Sequence, residues 1–338
     1  MPGSERLQRW LKFLVAIGIS VFFSILFIRS VDLDAVGKAL SDANYLYVLP
    51  ALGLFALSVA MRALRWRYFL LPGFDLGWRA LLPSVLIGYA GNNLLPLRAG
   101  ELVRAQHLSD RFGVPRMQTF GALLMERLFD GFLLATFVLW GLLLVDIGKG
   151  YLGLGLALAA GTAVGGVTCF LLARRPGFAD WLAALPIPFV TTWLRGQIAG
   201  LGASFFQGFS VLTSPGRFAG ASVTSVVAWG LELAMYWLIA EAFALDASLI
   251  TVAFAGAAAN VSLSLPSAQG GVGPFEVFAT EALARFDVAK DAAAAYALAL
   301  HFFLIVPVSL VGLAVLWRST LTGTRRQETA STVAEAQE

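Results

Sequence analysis

The segment Asn92-Asn93-Leu94-Leu95-Pro96-Leu97-Arg98-Ala99-Gly100-Glu101 interrupts an otherwise helical stretch. A second segment, Asn260-Val261-Ser262-Leu263-Ser264-Leu265-Pro266-Ser267-Ala268-Gln269-Gly270-Gly271-Val272-Gly273-Pro274-Phe275-Glu276, interrupts another in the same manner. Each sets an Asn ahead of a Leu-Pro, then a glycine-containing bend, then a Glu that opens a new helix. Proline ends a helix because it lacks an N–H and clashes with the preceding turn, and glycine lets the backbone bend back. The parallel runs on: Glu101 to Val114 is 13 residues and Glu276 to Val288 is 12, each Val starting a further helix. Counting 25 residues from each Glu reaches Glu126 and His301, both polar residues in apolar runs. Chance is the alternative, since Leu-Pro and glycine breaks recur in apolar helices; the sustained register favours a repeat.

Working outward, the apolar arms beside these breaks, within 80–112 and 250–286, are each too short to cross a bilayer. A crossing helix needs about 20 apolar residues, so each broken stretch reads as a re-entrant helical hairpin whose bend is buried in protein. Longer apolar runs occupy 11–29, 45–64, 118–145, 151–173, 218–244 and 292–317. Of the 338 residues, 58% are hydrophobic and 13% charged, against about 25% charged in a soluble domain. Basic residues mark one side: Arg62, Arg65, Arg67 and Arg79 after the second run, Arg174 and Arg175 after the fourth, Arg217 before the fifth, and Arg318, Arg325 and Arg326 after the last. The opposite loops carry Asp32, Asp34 and Asp42 with Lys38, and Asp146 with Lys149. The positive-inside rule then places both termini in the cytoplasm. Arg6, Arg9 and Lys12 precede the first run, which lacks a small-residue cleavage site and reads as a retained helix rather than a signal peptide.

The expected fold is therefore an all-α polytopic membrane protein of the cytoplasmic membrane, with about six transmembrane helices and two re-entrant hairpins. The first hairpin enters from the cytoplasm and the second from outside, so 10–147 and 151–318 form an inverted repeat within one membrane domain, 1–320. Such repeats with broken helices meeting at the midplane mark secondary transporters. Residues 176–216 read as a cytoplasmic amphipathic segment: Leu194, Ile198, Leu201, Phe205, Phe209 and Leu212 recur at helical spacing, to lie on the membrane face or cover the bundle's mouth. The tail 321–338 is polar, and disorder is expected there.

Polar residues inside this apolar frame define the candidate site. A charge at mid-depth costs roughly 2.5–3.5 kcal/mol, so it should be paired or line a cavity. Asn92, Arg98, Gly100, Glu101 and Arg104 lie at the first break, with Glu126, Arg127 and Asp130 on the next span. Arg98 and Arg104 suit a phosphate, which guanidinium binds bidentately, and the free N–H groups of Gly100, Glu101 and Leu102 would add anion affinity. Alternatively, Arg104 is an ordinary inside-positive charge and Glu101 compensates a helix dipole. At the second break Gln269, Gly270, Gly271, Gly273 and Glu276 let backbone approach a ligand, although a bend alone also needs glycine. Glu232, in the fifth span, is a candidate partner for Arg127 or a proton carrier; His301 is a relay or a packed histidine. Gly161 and Gly165 suggest helix packing.

Other classes find less support. With Cys169 the one cysteine and His107 and His301 the two histidines, neither a disulfide framework nor a thiolate or zinc site is expected, and no metal or cofactor. The net charge of +3 gives nucleic acid nothing to bind. Asp32-Leu33-Asp34 resembles the acidic motif of polytopic glycosyltransferases that use lipid-linked donors, though a solvated acidic loop accounts for it too. Ser262 with His301 would be needed for an intramembrane hydrolase, and no nucleophile motif frames that serine. An enzyme is not expected.

Taken together, Arg62-Ala63-Leu64-Arg65-Trp66, the segment Asn92 to Glu101, Glu126-Arg127 with Asp130, and Pro266 to Glu276 resemble the transmembrane, flippase-like domain of lysylphosphatidylglycerol synthases and its free-standing relatives. The resemblance covers 10–318. It implies movement of an anionic or aminoacylated phospholipid, or a polyprenyl-phosphate-linked lipid, between leaflets, without the soluble aminoacyl-transfer domain. A non-transporting subunit holding a membrane or cytoplasmic enzyme through 176–216 is a further possibility within that frame.

Overall fold

Within hydrocarbon a chain must satisfy its own backbone, and helices do so segment by segment. The computed structural model describes residues 2–95, 99–144, 149–175, 192–265 and 269–335, and the elements found there are helices. In chain order they are α1 (Pro2–Ser30), α2 (Leu33–Asp42), α3 (Val48–Leu70), α4 (Trp78–Leu94), α5 (Gly100–Phe112) and α6 (Arg116–Leu144). There follow α7 (Lys149–Ala173), α8 (Thr192–Gln207), α9 (Pro215–Ala242), α10 (Leu249–Ser262), α11 (Pro274–Ala284) and α12 (Lys290–Glu335).

Local chemistry sets many of the boundaries. Asp32 caps α2 by accepting from the N–H groups of Asp34 (2.9 Å) and Ala35 (3.3 Å), and Ser248 caps α10 by accepting from Thr251 N–H at 3.2 Å. Both satisfy amides that have no partner within their own helix. Pro215 opens α9, where its missing N–H costs nothing. Gly113 ends α5 at φ 70°.

Among the described residues, four helical stretches have the length and apolarity to cross a membrane: Tyr45–Leu70, Gly155–Ala173, Pro215–Ala242 and Lys290–Ser319. The chain is an all-α polytopic membrane protein. Helices α1 and α6, also read as spans, are 29 residues each, or roughly 43 Å at 1.5 Å per residue. Apolar side chains on the outside, among them Leu156, Val164, Val167 and Leu171 on α7 and Phe302, Leu310 and Leu313 on α12, are exposed, as lipid contact requires.

Both broken segments are hairpins. Helices α4 and α5 pack as one pair and α10 and α11 as the other. The first arm of each hairpin also lies along a distant span: α4 along α12, and α10 along α6. Helices α3 and α9 pack together. Three apolar cores result among the described residues. One gathers Trp66, Phe69, Met125 and Phe209, another Tyr236, Phe254, Phe275 and Tyr296, and a smaller one Phe27, Val36 and Val277.

Helix α12 continues past its apolar part into the polar segment as far as Glu335; extending an existing helix adds a hydrogen bond per residue without a new nucleation cost. The amphipathic stretch is more deeply engaged than a surface helix: Gly121 of α6 meets the backbone at Phe205 and Gly208, and Phe209 and Val211 are buried. Arg217 Nη1 and Ser210 Oγ donate to the Leu71 carbonyl at 2.6 and 2.8 Å, tying this region to the end of α3. The earlier part of that stretch, 176–191, lies outside the described residues, as do 336–338.

The first hairpin depends on glycine at one contact. A Cβ at Gly100 would fall on the Gly88 carbonyl oxygen and the Asn92 nitrogen. Gly100→Val is expected to destabilise the protein by about 1–3 kcal/mol, read as a lower unfolding temperature in detergent. Gly53→Val, at a position with nothing within 4 Å of the added Cβ, serves as the unaffected comparison.

Candidate functional site

Helix α3 carries Arg62 and Arg65 three residues apart, on one face, and α6 carries Glu126 and Asp130 four apart, on one face. The two faces meet. Arg65, with 0% of its surface exposed, donates from Nη1 to Asp130 Oδ1 at 2.6 Å and from Nη2 to Glu126 Oε1 at 2.7 Å. Arg62 Nη2 donates to Glu232 Oε2 of α9 at 2.5 Å and Nη1 to Asp130 Oδ2 at 3.4 Å. Arg104, from α5, donates to Glu126 Oε2 at 3.1 Å. Three guanidinium groups thus face three carboxylates. Isolated, each would be costly in a low-dielectric interior; interlocked, each offsets its neighbours' desolvation.

Neutral donors complete the shell. Trp229 Nε1 donates to Asp130 (2.8 Å), Tyr236 Oη to Glu232 (2.7 Å), Ser58 Oγ to Glu232 (3.3 Å), and Asn260 Nδ2 to Tyr236 Oη (3.1 Å). Arg62 lies over Trp229 with its Cζ 4.9 Å from the ring centre, and Arg104 over Trp66 at 3.6 Å. The network joins α3, α5 and α6 to α9 and α10. Arg104 is its least satisfied member: Nε and Nη2 are buried without a partner among the described residues, as is Asn92 Oδ1.

A second polar group lies in the other hairpin. Glu276 reaches back to the N–H of Gly273, its Oε2 accepting at 2.7 Å, in the first turn of α11. Its Oε1 is 2.5 Å from His301 Nδ1 of α12, and His301 Nε2 is 2.9 Å from the Gly270 carbonyl oxygen. The bend requires glycine, since Gly270, Gly271 and Gly273 have φ of 70°, 78° and 95°. The turn Gln269–Gly271 packs on α4 of the first hairpin, with the Asn93 carbonyl oxygen 3.7 Å from where a Gly270 Cβ would stand. Asn93 Nδ2 donates to Ser309 Oγ of α12 at 3.0 Å. The two hairpins therefore meet where each bends.

Several assignments change. Glu101 bonds Arg127 at 2.5 Å on an accessible face, so the partner corresponding to the Glu276–His301 pair is Arg127. It is the residue next to Glu126, and that step of about 100° turns Glu126 inward. Glu232 pairs with Arg62, and Arg127 is taken by Glu101. Arg98 lies outside the described residues, as do Pro266, Ser267 and Ala268. Ser262 donates to the Ala259 carbonyl at 2.7 Å and His301 bonds Glu276 and the Gly270 carbonyl, so these two are not paired with each other. A Cβ at Gly165 would touch Leu128 of α6, whereas Gly161 has open space, so only one of that pair supports close packing.

Sequence reasoning missed Arg62 and Arg65 as site residues. They fall in the basic cluster at the end of the run 45–64 and read as inside-positive charges; α3 runs to Leu70, which puts both inside the bundle. Their spacing by one helical turn within an apolar helix was the available signal.

Residues 10–312 match the family described as the lysylphosphatidylglycerol synthase TM region. The chain belongs to that family. Among relatives of this family member, a Haloferax volcanii protein named Glycosyltransferase AglD is 26% identical over 342 residues, covering 91% of this chain and 54% of that protein. The chain thus spans about half the length of that relative. A UPF0104 membrane protein of Methanothermobacter thermautotrophicus is 26% identical over 278 residues, 77% of this chain and 81% of the relative. One from Methanocaldococcus jannaschii is 28% identical over 125 residues, 36% of this chain and 37% of the relative. No solved structure matches significantly. The expectation that the protein is not an enzyme is overturned by the first of these: a relative aligned along most of the chain carries an enzyme's name.

Removing one side of a buried ion pair costs about 3–5 kcal/mol, because the remaining charge stays buried. Arg65→Ala is expected to lose at least that much stability, measured by thermal unfolding in detergent. Arg65→Lys should recover only part of it, since an ammonium cannot present the planar fork that meets both carboxylates.

Proposed function

We propose that this member of the lysylphosphatidylglycerol synthase TM family passes a phosphate-bearing lipid between leaflets, its head group moving through the junction of the two hairpins while its tails stay in the bilayer. The observation that carries this reading is Arg104: one N–H is held by Glu126 and the guanidinium is stacked on Trp66, while Nε and Nη2 remain without partners among the described residues. Two adjacent guanidinium N–H groups are the donor pair a phosphate accepts bidentately. An unaided phosphate entering hydrocarbon would face a desolvation cost of tens of kcal/mol in the Born limit, which fixed donors replace.

In this reading Asn92, Arg98, Gly100, Glu101, Arg104, Glu126 and Arg127 form the charged half of the head-group path. Gln269, Gly270, Gly271, Gly273 and Glu276 form the half built largely from backbone. The reciprocal packing of α4 on α12 and α10 on α6 supports an inverted repeat of 10–147 and 151–318, and rocking of its halves would expose the junction to each side in turn. The charge distribution supports a cytoplasmic-membrane location with both termini inside. The cargo is a membrane phospholipid or a polyprenyl-phosphate-linked lipid.

The similarity to a protein named Glycosyltransferase AglD favours a second reading, glycosyl transfer from a polyprenyl-phosphate donor. That reading requires Asp32 and Asp34, of which Asp32 already serves as a helix cap. Reconstituted vesicles separate the two. With a fluorescent phospholipid and a polyprenyl-phosphate sugar supplied in turn, Arg98→Ala and Arg104→Ala are expected to reduce leaflet transfer at least tenfold, with Asp32→Asn without effect. Sugar transfer to an acceptor that is lost in Asp32→Asn and Asp34→Asn would establish the second reading. Unchanged leaflet transfer in both arginine variants would sink the first.

A further inference from the structure

We infer that Glu276 and His301 together form a site for one proton, and that this proton latches the turn of the second hairpin against the first. The inference deepens the transport reading above, because that junction is the path proposed there for the head group.

The argument starts from hydrogen counting. The Gly270 carbonyl oxygen can only accept, so the 2.9 Å bond to His301 places a hydrogen on Nε2. The remaining ring nitrogen, Nδ1, stands 2.5 Å from Glu276 Oε1. A bond there needs one hydrogen between them. It is supplied by an imidazolium facing a carboxylate or by a carboxylic acid facing a neutral imidazole, and both arrangements hold the same single proton. Release of that proton to water leaves a neutral ring with a single N–H, which the carboxylate draws to Nδ1 by tautomerisation. Nε2 then presents a lone pair to the Gly270 carbonyl, so that contact turns from a bond into a repulsion and no longer holds Gly270.

The pair is enclosed. Glu276 and His301 are 5% and 4% exposed, and Phe275 stacks on the imidazole at 4.1 Å. The neighbouring elements bring mainly neutral groups: the Ser20 carbonyl and Ser24 of α1 against Gly273, Leu263 after α10 against Gly271, and Asn93 and Ser309 from α4 and α12. Several charged groups on packed elements are engaged elsewhere. Glu232 of α9 holds Arg62 and Tyr236, Glu281 pairs with Lys290, and Asp291 accepts from the N–H of Asp32. Further charged residues on these elements include Arg285 on the turn after α11, Asp34, Lys38 and Asp42 on α2, Arg29 on α1, Arg79 on α4, Arg217 and Glu241 on α9, and Arg318 on α12. Among the described residues, neither Glu276 nor His301 bonds to another charged side chain.

Position makes the proton consequential. Gly270, held by His301, is the residue whose added Cβ would touch Ile305 and approach the Asn93 carbonyl, and its turn packs on α4. Freeing Gly270 loosens the place where the hairpins touch. Proton loss then opens the junction and proton uptake closes it, so each cycle of opening can be tied to one proton.

Amide hydrogen exchange on the full protein in detergent tests this, comparing about pH 5.5 with about pH 9, with correction for intrinsic exchange. Peptides covering 269–276 should lose at least tenfold protection at the higher pH, with α3 and α9 unchanged. Glu276→Gln should abolish that difference: its amide donates to Nδ1 and its oxygen accepts from Gly273, reproducing the proton-loaded pair. Protection that is equal at both pH values in the wild type, or a Glu276→Gln protein unprotected at low pH, would overturn the inference. Vesicle assays under a pH gradient complete the test. Phospholipid transfer that answers to the gradient in the wild type but not in Glu276→Gln supports proton coupling. The expected exchange pattern without any lipid transfer leaves the latch standing and removes the transport reading, and transfer with pH-independent exchange removes the latch alone.

Discussion

Arg65 is the constraint on which the rest of the structure depends. A guanidinium with no exposed surface has to be met on its donor edges, and the carboxylates that meet it, Glu126 and Asp130, both come from α6. That requirement fixes the rotation of α3 and α6 about their own axes more tightly than apolar packing could, because lipid and leucine are equally acceptable neighbours for an apolar face. Arg62 extends the same logic to α9 through Glu232, and Arg104 extends it to α5 through Glu126. The ionic network works as a registration device for helices that would otherwise slide.

The two hairpins solve one geometric problem with different chemistry. Each has to turn within protein and present its second helix to the following span through a glutamate in that helix's first turn. In the first hairpin Glu101 meets the cation Arg127 on an accessible face. In the second, Glu276 meets His301 in a closed one. The permanently charged contact lies on an exposed face, and the contact able to become neutral lies in a buried one. Burial penalises net charge most where water is absent, so this placement follows from the residue types.

Much of the architecture was legible in the sequence. The apolar runs, the two broken segments and the glycine-dependent second bend all rest on local rules: crossing length, proline's missing N–H and positive φ. What could not be read was the pairing of charges, because ion pairs form between residues such as Arg62 and Glu232 that lie far apart along the chain. Arg62 and Arg65 read as inside-positive charges because hydropathy falls at the very residues that α3 buries, and only a view of α6 and α9 shows that they are compensated. The one-residue offset between Glu126 and Arg127 has the same origin. Counting along the chain finds the correct turn of helix, and the side that faces inward depends on its neighbours.

The order in which these charges are made has a consequence for biogenesis. Arg62 and Arg65 leave the ribosome well before Glu126 and Asp130, and long before Glu232. Until then α3 carries two uncompensated arginines, each costing roughly 2.5–3.5 kcal/mol near the middle of a bilayer. Helix α3 is therefore poorly suited to independent residence in lipid during synthesis. The ion network that aligns the finished helices thus also leaves α3 penalised in lipid until the partners of its arginines have been made.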